Sequence, residues 1–193
     1  MNSVCVYCGS SPGRRPLYAE AARDLAEALV ARDLTLVYGG ASVGIMGTVA
    51  DAVLERGGRV IGVIPQALHD KEVAHHGLTE LLVTESMHAR KLAMAERADA
   101  FVALPGGIGT LEELFEMWTW AQLGMHARPC GVLNVGGYFD SLVAFLDHAR
   151  DEAFLRPAHR DMLCVEDDPE RLLARFDAWA APDLGKWIGP QDT

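Results

Sequence analysis

Ala100-Phe101-Val102-Ala103-Leu104 is an unbroken apolar run, and Pro105-Gly106-Gly107-Ile108-Gly109-Thr110-Leu111-Glu112-Glu113 follows it directly. A short, wholly apolar run suits a parallel strand covered on both faces, and Pro105 ends it. Glycines then turn the chain, and a helix opens. The segment is thereby committed to a strand, a tight turn and a helix packed back on the strand. The same order recurs where Leu34 to Tyr38 leads into Gly39-Gly40-Ala41-Ser42-Val43-Gly44-Ile45-Met46-Gly47, and where the first strand closes on Gly9-Ser10-Ser11. Leu17, Ala21, Ala22, Leu25, Ala28 and Leu29 recur at helical spacing and predict a helix near 17–32. Strands are expected at about 3–8, 34–38, 59–64, 79–84, 100–104, 130–135 and 163–165. Alternation of this kind builds a parallel sheet with right-handed crossovers. The expected fold is α/β: a single Rossmann-like domain over residues 1–182, with a parallel sheet of about seven strands flanked by helices. Residues 183–193, rich in Pro, Gly and polar groups, read as a loose tail.

The turn at 105–110 has the makings of a phosphate cradle. Gly106, Gly107 and Gly109 are expected to take positive φ and to let a ligand come close. A helix beginning near Gly109 or Thr110 then points its free N–H groups at an anion. The helix dipole adds only about 0.3 to 1 kcal/mol, so most of the affinity must come from N–H bonds and a nearby cation. Glu112 and Glu113 are placed in the first turn, where carboxylates are favoured anyway. They stand about 100° apart, so one alone can face the ligand squarely. The spacing is neither the Walker loop nor the dinucleotide fingerprint.

A second constellation is Glu85-Ser86-Met87-His88-Ala89-Arg90-Lys91-Leu92. Ser86 can cap a helix running to about Arg97, which puts Arg90 and Lys91 in its first two turns. Cations there oppose the helix dipole. Either they are solvated surface charges, or that cost serves a phosphorylated ligand.

These segments resemble the LOG ("lonely guy") family. The likeness is carried by P-G-G-I-G-T-L-E-E with the following W-T-W-A-Q-L-G, by M-H-A-R-K, by Val4 to Ser11, by Val37 to Gly47, by Gly62 to Pro65 and by Gly131 to Asn134. It spans roughly residues 3–165. Family members are cytokinin riboside 5'-monophosphate phosphoribohydrolases, often labelled lysine decarboxylases. The resemblance implies hydrolysis of the N-glycosidic bond of an adenosine 5'-monophosphate, preferably N6-modified, to free base and ribose 5-phosphate. It implies Arg90 and Glu113 as the catalytic pair, and Gly107, Gly109 and Thr110 as phosphate ligands, with Ile108, Leu111 and Glu112 in the same binding loop. It places Glu72, Lys91 and Thr119 along the nucleotide site, and it implies a homodimer with no cofactor.

The chemistry of such a reaction fits the residues. Breaking the C1'–N9 bond builds positive charge on the ribose and negative charge on the purine, so a carboxylate is needed near C1'. Glu113 can supply it and orient the attacking water. Arg90 either holds Glu113 ionised and positioned or contacts the ribose or phosphate. Ser10 can donate to phosphate or base, and Gly40 belongs to a second glycine turn suited to a mononucleotide across the strand ends. Met87 or Trp118 can line a purine pocket.

Net charge and cysteines narrow the setting. A charge of −10 argues against nucleic-acid or anionic-membrane partners. No run is long enough to span a bilayer and no signal peptide is evident, so a cytoplasmic location is expected. Cys5 and Cys8 form C-x-x-C within a strand, where an offset of three puts them on opposite faces, and a redox role is not expected. His69, His75, His76 and Glu72 lack a zinc-ligand spacing and read as a solvated or ligand-gating loop, so no metal is expected. A non-catalytic nucleotide carrier or sensor is the alternative function. A pyridoxal phosphate decarboxylase needs a Schiff-base lysine, and Lys71, Lys91 and Lys186 are the only lysines. Lys91, beside a phosphate-facing Arg, suits that role poorly.

Overall fold

The structure, a computed structural model, describes residues 1–69 and 74–182. Strands and helices alternate: β1 (Ser3–Tyr7), α1 (Leu17–Ala31), β2 (Thr35–Tyr38), α2 (Gly44–Glu55), β3 (Val60–Pro65), α3 (Gln66–His69), β4 (Glu80–Thr84) and α4 (Met87–Glu96). There follow β5 (Ala100–Ala103), α5 (Ile108–Gln122), β6 (Cys130–Leu133), α6 (Asp140–Asp151), α7 (Pro157–Arg160), β7 (Leu163–Glu166) and α8 (Pro169–Asp177). The seven strands form one sheet in the order β4-β3-β2-β1-β5-β6-β7. Every neighbouring pair is parallel. The seven expected strands are present with ends shifted by no more than two residues. Residues 183–193, expected as a tail, lie outside the described residues.

Alternating side chains of β1 divide between two cores. Val4 and Val6 pack with Leu25 and Leu29 of α1, Val49 and Val53 of α2, and Leu172 and Phe176 of α8. Cys5 and Tyr7 pack on the other face with Met94 of α4, Leu114 and Met117 of α5, and Leu146 of α6. Cys5 and Cys8 thus fall on opposite faces, as period-two geometry requires. All four cysteines are free and buried, and burial pushes the Cys5 thiol up to about 12. Leu25 and Leu29 are fully buried, each contributing about 2 kcal/mol.

Helix ends follow local chemistry. The Ser86 side chain accepts from the Ala89 N–H at 3.1 Å and starts α4 as expected. Asp168 caps α8 in the same way, through the Arg171 N–H at 2.8 Å. Gly57, just past α2, takes the left-handed φ of +77° that ends many helices. Among the described residues no helix is long and apolar enough to cross a membrane.

Candidate active site

The strand order changes direction between β1 and β5, and open parallel sheets bind ligands where that happens. The loops leaving these strands are Cys8–Gly13 and Leu104–Gly107. They are tied together by the Gly9 N–H donating to the Pro105 carbonyl at 3.1 Å. Beside them opens a cavity of about 450 Å³. Its walls come from Cys8 to Ser10 after β1, Gly39 and Ala41 after β2, Met46 of α2, Ile64 of β3, and Leu68 of α3. Met87 and Arg90 of α4 close it, together with Gly107 to Thr110, Glu112 and Glu113 at the start of α5.

Arg90 and Glu113 form the buried charged centre. Arg90 is 7% exposed and Glu113 9%. Arg90 Nη1 donates to Glu113 Oε1 at 2.6 Å, and Arg90 Nε donates to the Val63 carbonyl at 3.0 Å. Losing either charge would strand the other in a low-dielectric setting, typically at a cost of about 3 to 5 kcal/mol. Burial lifts the pKa of Glu113 above the ordinary carboxylate value, more than the neighbouring Arg90 charge lowers it. A carboxylate so held is a stronger proton acceptor than an unperturbed one, and the guanidinium keeps it oriented.

The α5 N-terminus is built differently from the sequence expectation. The helix begins at Ile108 with Gly107 as its cap, so Glu112 and Glu113 fall in the second turn rather than the first. Gly106, Gly107 and Gly109 do not adopt positive φ. Gly106 is needed for space instead: a Cβ there would stand 2.1 Å from Thr110 Oγ1 and 2.8 Å from the Gly9 nitrogen. Gly107 and Gly109 meet nothing within 4 Å, so they leave the surface over the helix end open. Tyr138 braces the cradle from outside, its hydroxyl donating to the Gly106 carbonyl at 2.6 Å.

Arg90 and Lys91 part company. Both are buried, which removes the reading of solvated surface charges. Lys91 turns away from the cavity and bonds Glu112 Oε1 at 2.6 Å and Glu116 Oε1 at 3.0 Å. It lines a separate hollow with His88, Leu92 and Trp120. Burial pushes the Lys91 ammonium down, but its two carboxylate partners outweigh that and hold its pKa above the ordinary value. A Schiff-base lysine needs the opposite shift. Glu112 is left half-exposed at the rim of the cavity.

Other expected positions divide the same way. Ser10, Gly107, Ile108, Gly109 and Thr110 line the cavity; Leu111 packs into the core, and Thr119 is an exposed residue about 16 Å along α5 from its start. Gly40 is buried behind the wall, where its carbonyl accepts from the His75 N–H at 2.9 Å. Met87 reaches the cavity, whereas Trp118 lies in the core with its indole N–H on the His159 carbonyl at 3.0 Å. Ile108, at the start of α5, is 87% exposed. Glu72 lies outside the described residues. Gly39, Cys8, Met46, Ile64 and Leu68 were not singled out from sequence as site residues. Only Gly39, in a glycine turn, carried a signal that could have marked it.

Fold and site together define a Rossmann-like α/β protein with a small-ligand cavity at the switch point of its sheet and an Arg–Glu pair in the wall. The family described as "possible lysine decarboxylase" matches residues 46–176, and the chain belongs to this family, the LOG family. It is 49% identical over 176 residues to cytokinin riboside 5'-monophosphate phosphoribohydrolase LOG5 of Arabidopsis thaliana, covering 91% of this chain and 77% of that protein. It is 50% identical over 173 residues to the cytokinin riboside 5'-monophosphate phosphoribohydrolase of Rhodococcoides fascians, covering 89% and 87%. Among solved structures, the molybdenum cofactor binding protein of Rippkaea orientalis matches with a TM-score of 0.69 at 19% identity, covering 92% of this chain and 96% of that one. That likeness is one of fold.

Proposed function

We propose that this protein hydrolyses the N-glycosidic bond of adenosine 5'-monophosphate, or of its N6-modified forms, to release the free base and D-ribose 5-phosphate. The observation that carries the reading is the buried Arg90–Glu113 pair at 2.6 Å, in the wall of a nucleotide-sized cavity that also meets the α5 N-terminus. The half-identical relatives, named as cytokinin riboside 5'-monophosphate phosphoribohydrolases, support it.

In this mechanism the 5'-phosphate rests on the amides of Gly107 to Thr110 and anchors the far end of the substrate. Glu113, ionised and aimed by Arg90, stabilises the cationic ribose and takes a proton from the attacking water as the C1'–N9 bond breaks, the electron pair leaving on the purine, which takes up a proton from solvent to give the free base. General-base assistance of this kind accounts for roughly 100- to 10,000-fold in rate. Arg90 is therefore assigned to holding Glu113, since two of its nitrogens are already engaged by Glu113 and Val63.

The test is release of base and ribose 5-phosphate from AMP and from N6-isopentenyl-AMP, with Glu113→Gln alongside. The expected outcome is release by the intact protein and a loss of at least about 100-fold in the variant. Binding without release would favour the carrier or sensor reading instead. The pairing of Lys91 with two carboxylates gives the decarboxylase reading no support among the described residues.

The proposal extends to a homodimer through the outer faces of α4 and α5, where Met87, Leu92 and Ile108 expose apolar surface. Lys91 and Thr119, which the family resemblance assigns to the nucleotide site, do not reach the cavity of their own chain. A second copy packed on α4 and α5 is the arrangement that reconciles the two. A cytoplasmic location accords with four reduced cysteines and a nucleotide substrate.

A further inference from the structure

The Arg90 guanidinium is fixed from three directions. β3 supplies the Val63 carbonyl to Nε, α5 supplies Glu113 to Nη1, and the third side is the chain leaving β2 at Gly39. A Cβ built on Gly39 would stand 2.2 Å from Arg90 Nη2 and 3.4 Å from Arg90 Cζ. Its next neighbour would be Met46 Sδ at 3.4 Å, an ordinary contact with a flexible side chain. Gly39 is not among the glycines with positive φ, so its backbone would accept alanine without strain. The clash is therefore with the guanidinium. An arginine tip can swing away at little cost to folding, but here it would have to leave Val63 or Glu113 to do so.

We infer that Gly39 is a positioning residue, whose missing side chain is the space that lets Arg90 hold Glu113 in the reacting geometry. It acts through Arg90 and touches no reacting atom. The inference deepens the hydrolase reading and rests on it for its kinetic readout, while its stability readout is independent of any activity. A displacement of about 1 Å in a catalytic group commonly costs on the order of 100-fold in rate.

The experiment is a double-mutant cycle with Gly39→Ala, Arg90→Ala and the pair, read by kcat and KM on AMP and by thermal unfolding. Gly39→Ala is expected to lower kcat by about 100-fold with KM changed by less than about 3-fold. In the Arg90→Ala background the added methyl finds empty space, so Gly39→Ala should leave Tm unchanged there, whatever it does to Tm in the intact protein. Folding of the double variant where Gly39→Ala alone fails to fold would give the same support. Gly40→Ala, at φ +74°, should stay damaging in both backgrounds because its strain does not involve Arg90. Unchanged kcat in Gly39→Ala, an undiminished loss of Tm in the Arg90→Ala background, or failure of the double variant to fold where Arg90→Ala alone folds would overturn the inference. If the intact protein releases no base, the hydrolase reading fails, and the Tm cycle still decides whether Gly39 and Arg90 are coupled.

Discussion

At the residue scale, two charges adjacent in sequence take opposite parts. Successive helical residues differ by about 100°, so whichever of Arg90 and Lys91 faces the cavity, the other must turn aside. Arg90 goes inward because its planar fork can satisfy a strand carbonyl and a carboxylate at once, which an ammonium cannot do with the same geometry. The raised pKa of Glu113 carries a prediction. In the proposed mechanism the active form is the carboxylate, so the rate should fall as pH drops, with a midpoint above the ordinary value of 4.5. Removing the Arg90 charge takes away what lowers that pKa, so the acid limb of an Arg90→Ala variant should move to higher pH. An unshifted limb would show that another group controls the profile. That Arg90 and Glu113 belong to one site was implied by the likeness of the M-H-A-R-K and T-L-E-E segments to the family, and the structure brings the two together. The separate destinations of Lys91 and Thr119 were not legible in the sequence, because a helix's rotation about its own axis is set by what packs against it.

At the scale of elements, each part of the site depends on how a helix starts or stops. Ser86 closes the first turn of α4 four residues before Arg90, and Ser86→Ala is expected to cost about 1 kcal/mol of stability. Urea unfolding checks this, with Glu85→Ala as the control on the same loop. Beyond α5 the chain returns to β6 through His126. Its Nδ1 accepts from the Arg128 N–H at 3.1 Å, which leaves Nε2–H to donate to the Met117 carbonyl at 2.9 Å. Burial, aided by the Arg128 charge, holds the pKa of His126 down to about 4 from 6.5. The unfolded chain therefore binds the proton more readily. The resulting stability is present above pH 6.5 and is lost as pH falls through about 4. His126→Gln should flatten the pH dependence of unfolding in that window, and an unchanged slope would remove His126 as its source. Ser86 announced its cap in the sequence, since capping is a local affair. The partners of His126, the Met117 carbonyl on α5 and the Arg128 N–H on the following loop, are ones that only the turn after the helix brings within reach.

For the whole molecule, the exposed apolar side chains of α4 and α5 bear on assembly. Leu92→Asp combined with Ile108→Asp should shift the protein from dimer to monomer in light scattering, because each buries a charge against an apolar face. A wild-type protein that is already monomeric would remove the dimer from the proposal. The sequence by itself determined the seven strands, their parallel order of connection and the position of the cradle. These follow from apolar runs, glycine turns and helical periodicity, all short-range along the chain. It marked the cradle glycines but misjudged their use: positive φ was expected at Gly106, Gly107 and Gly109, yet one supplies clearance and two leave open surface. A glycine in a sequence shows that a side chain is absent, and only its neighbours in space show what that absence is for. Tertiary structure alone decided that Gly39 of the second turn lies against Arg90, and that β3 lends the Val63 carbonyl to the pair. Those contacts join Arg90 of α4 to residues 51 and 27 positions before it in the chain, which meet it only when the helix packs on the assembled sheet.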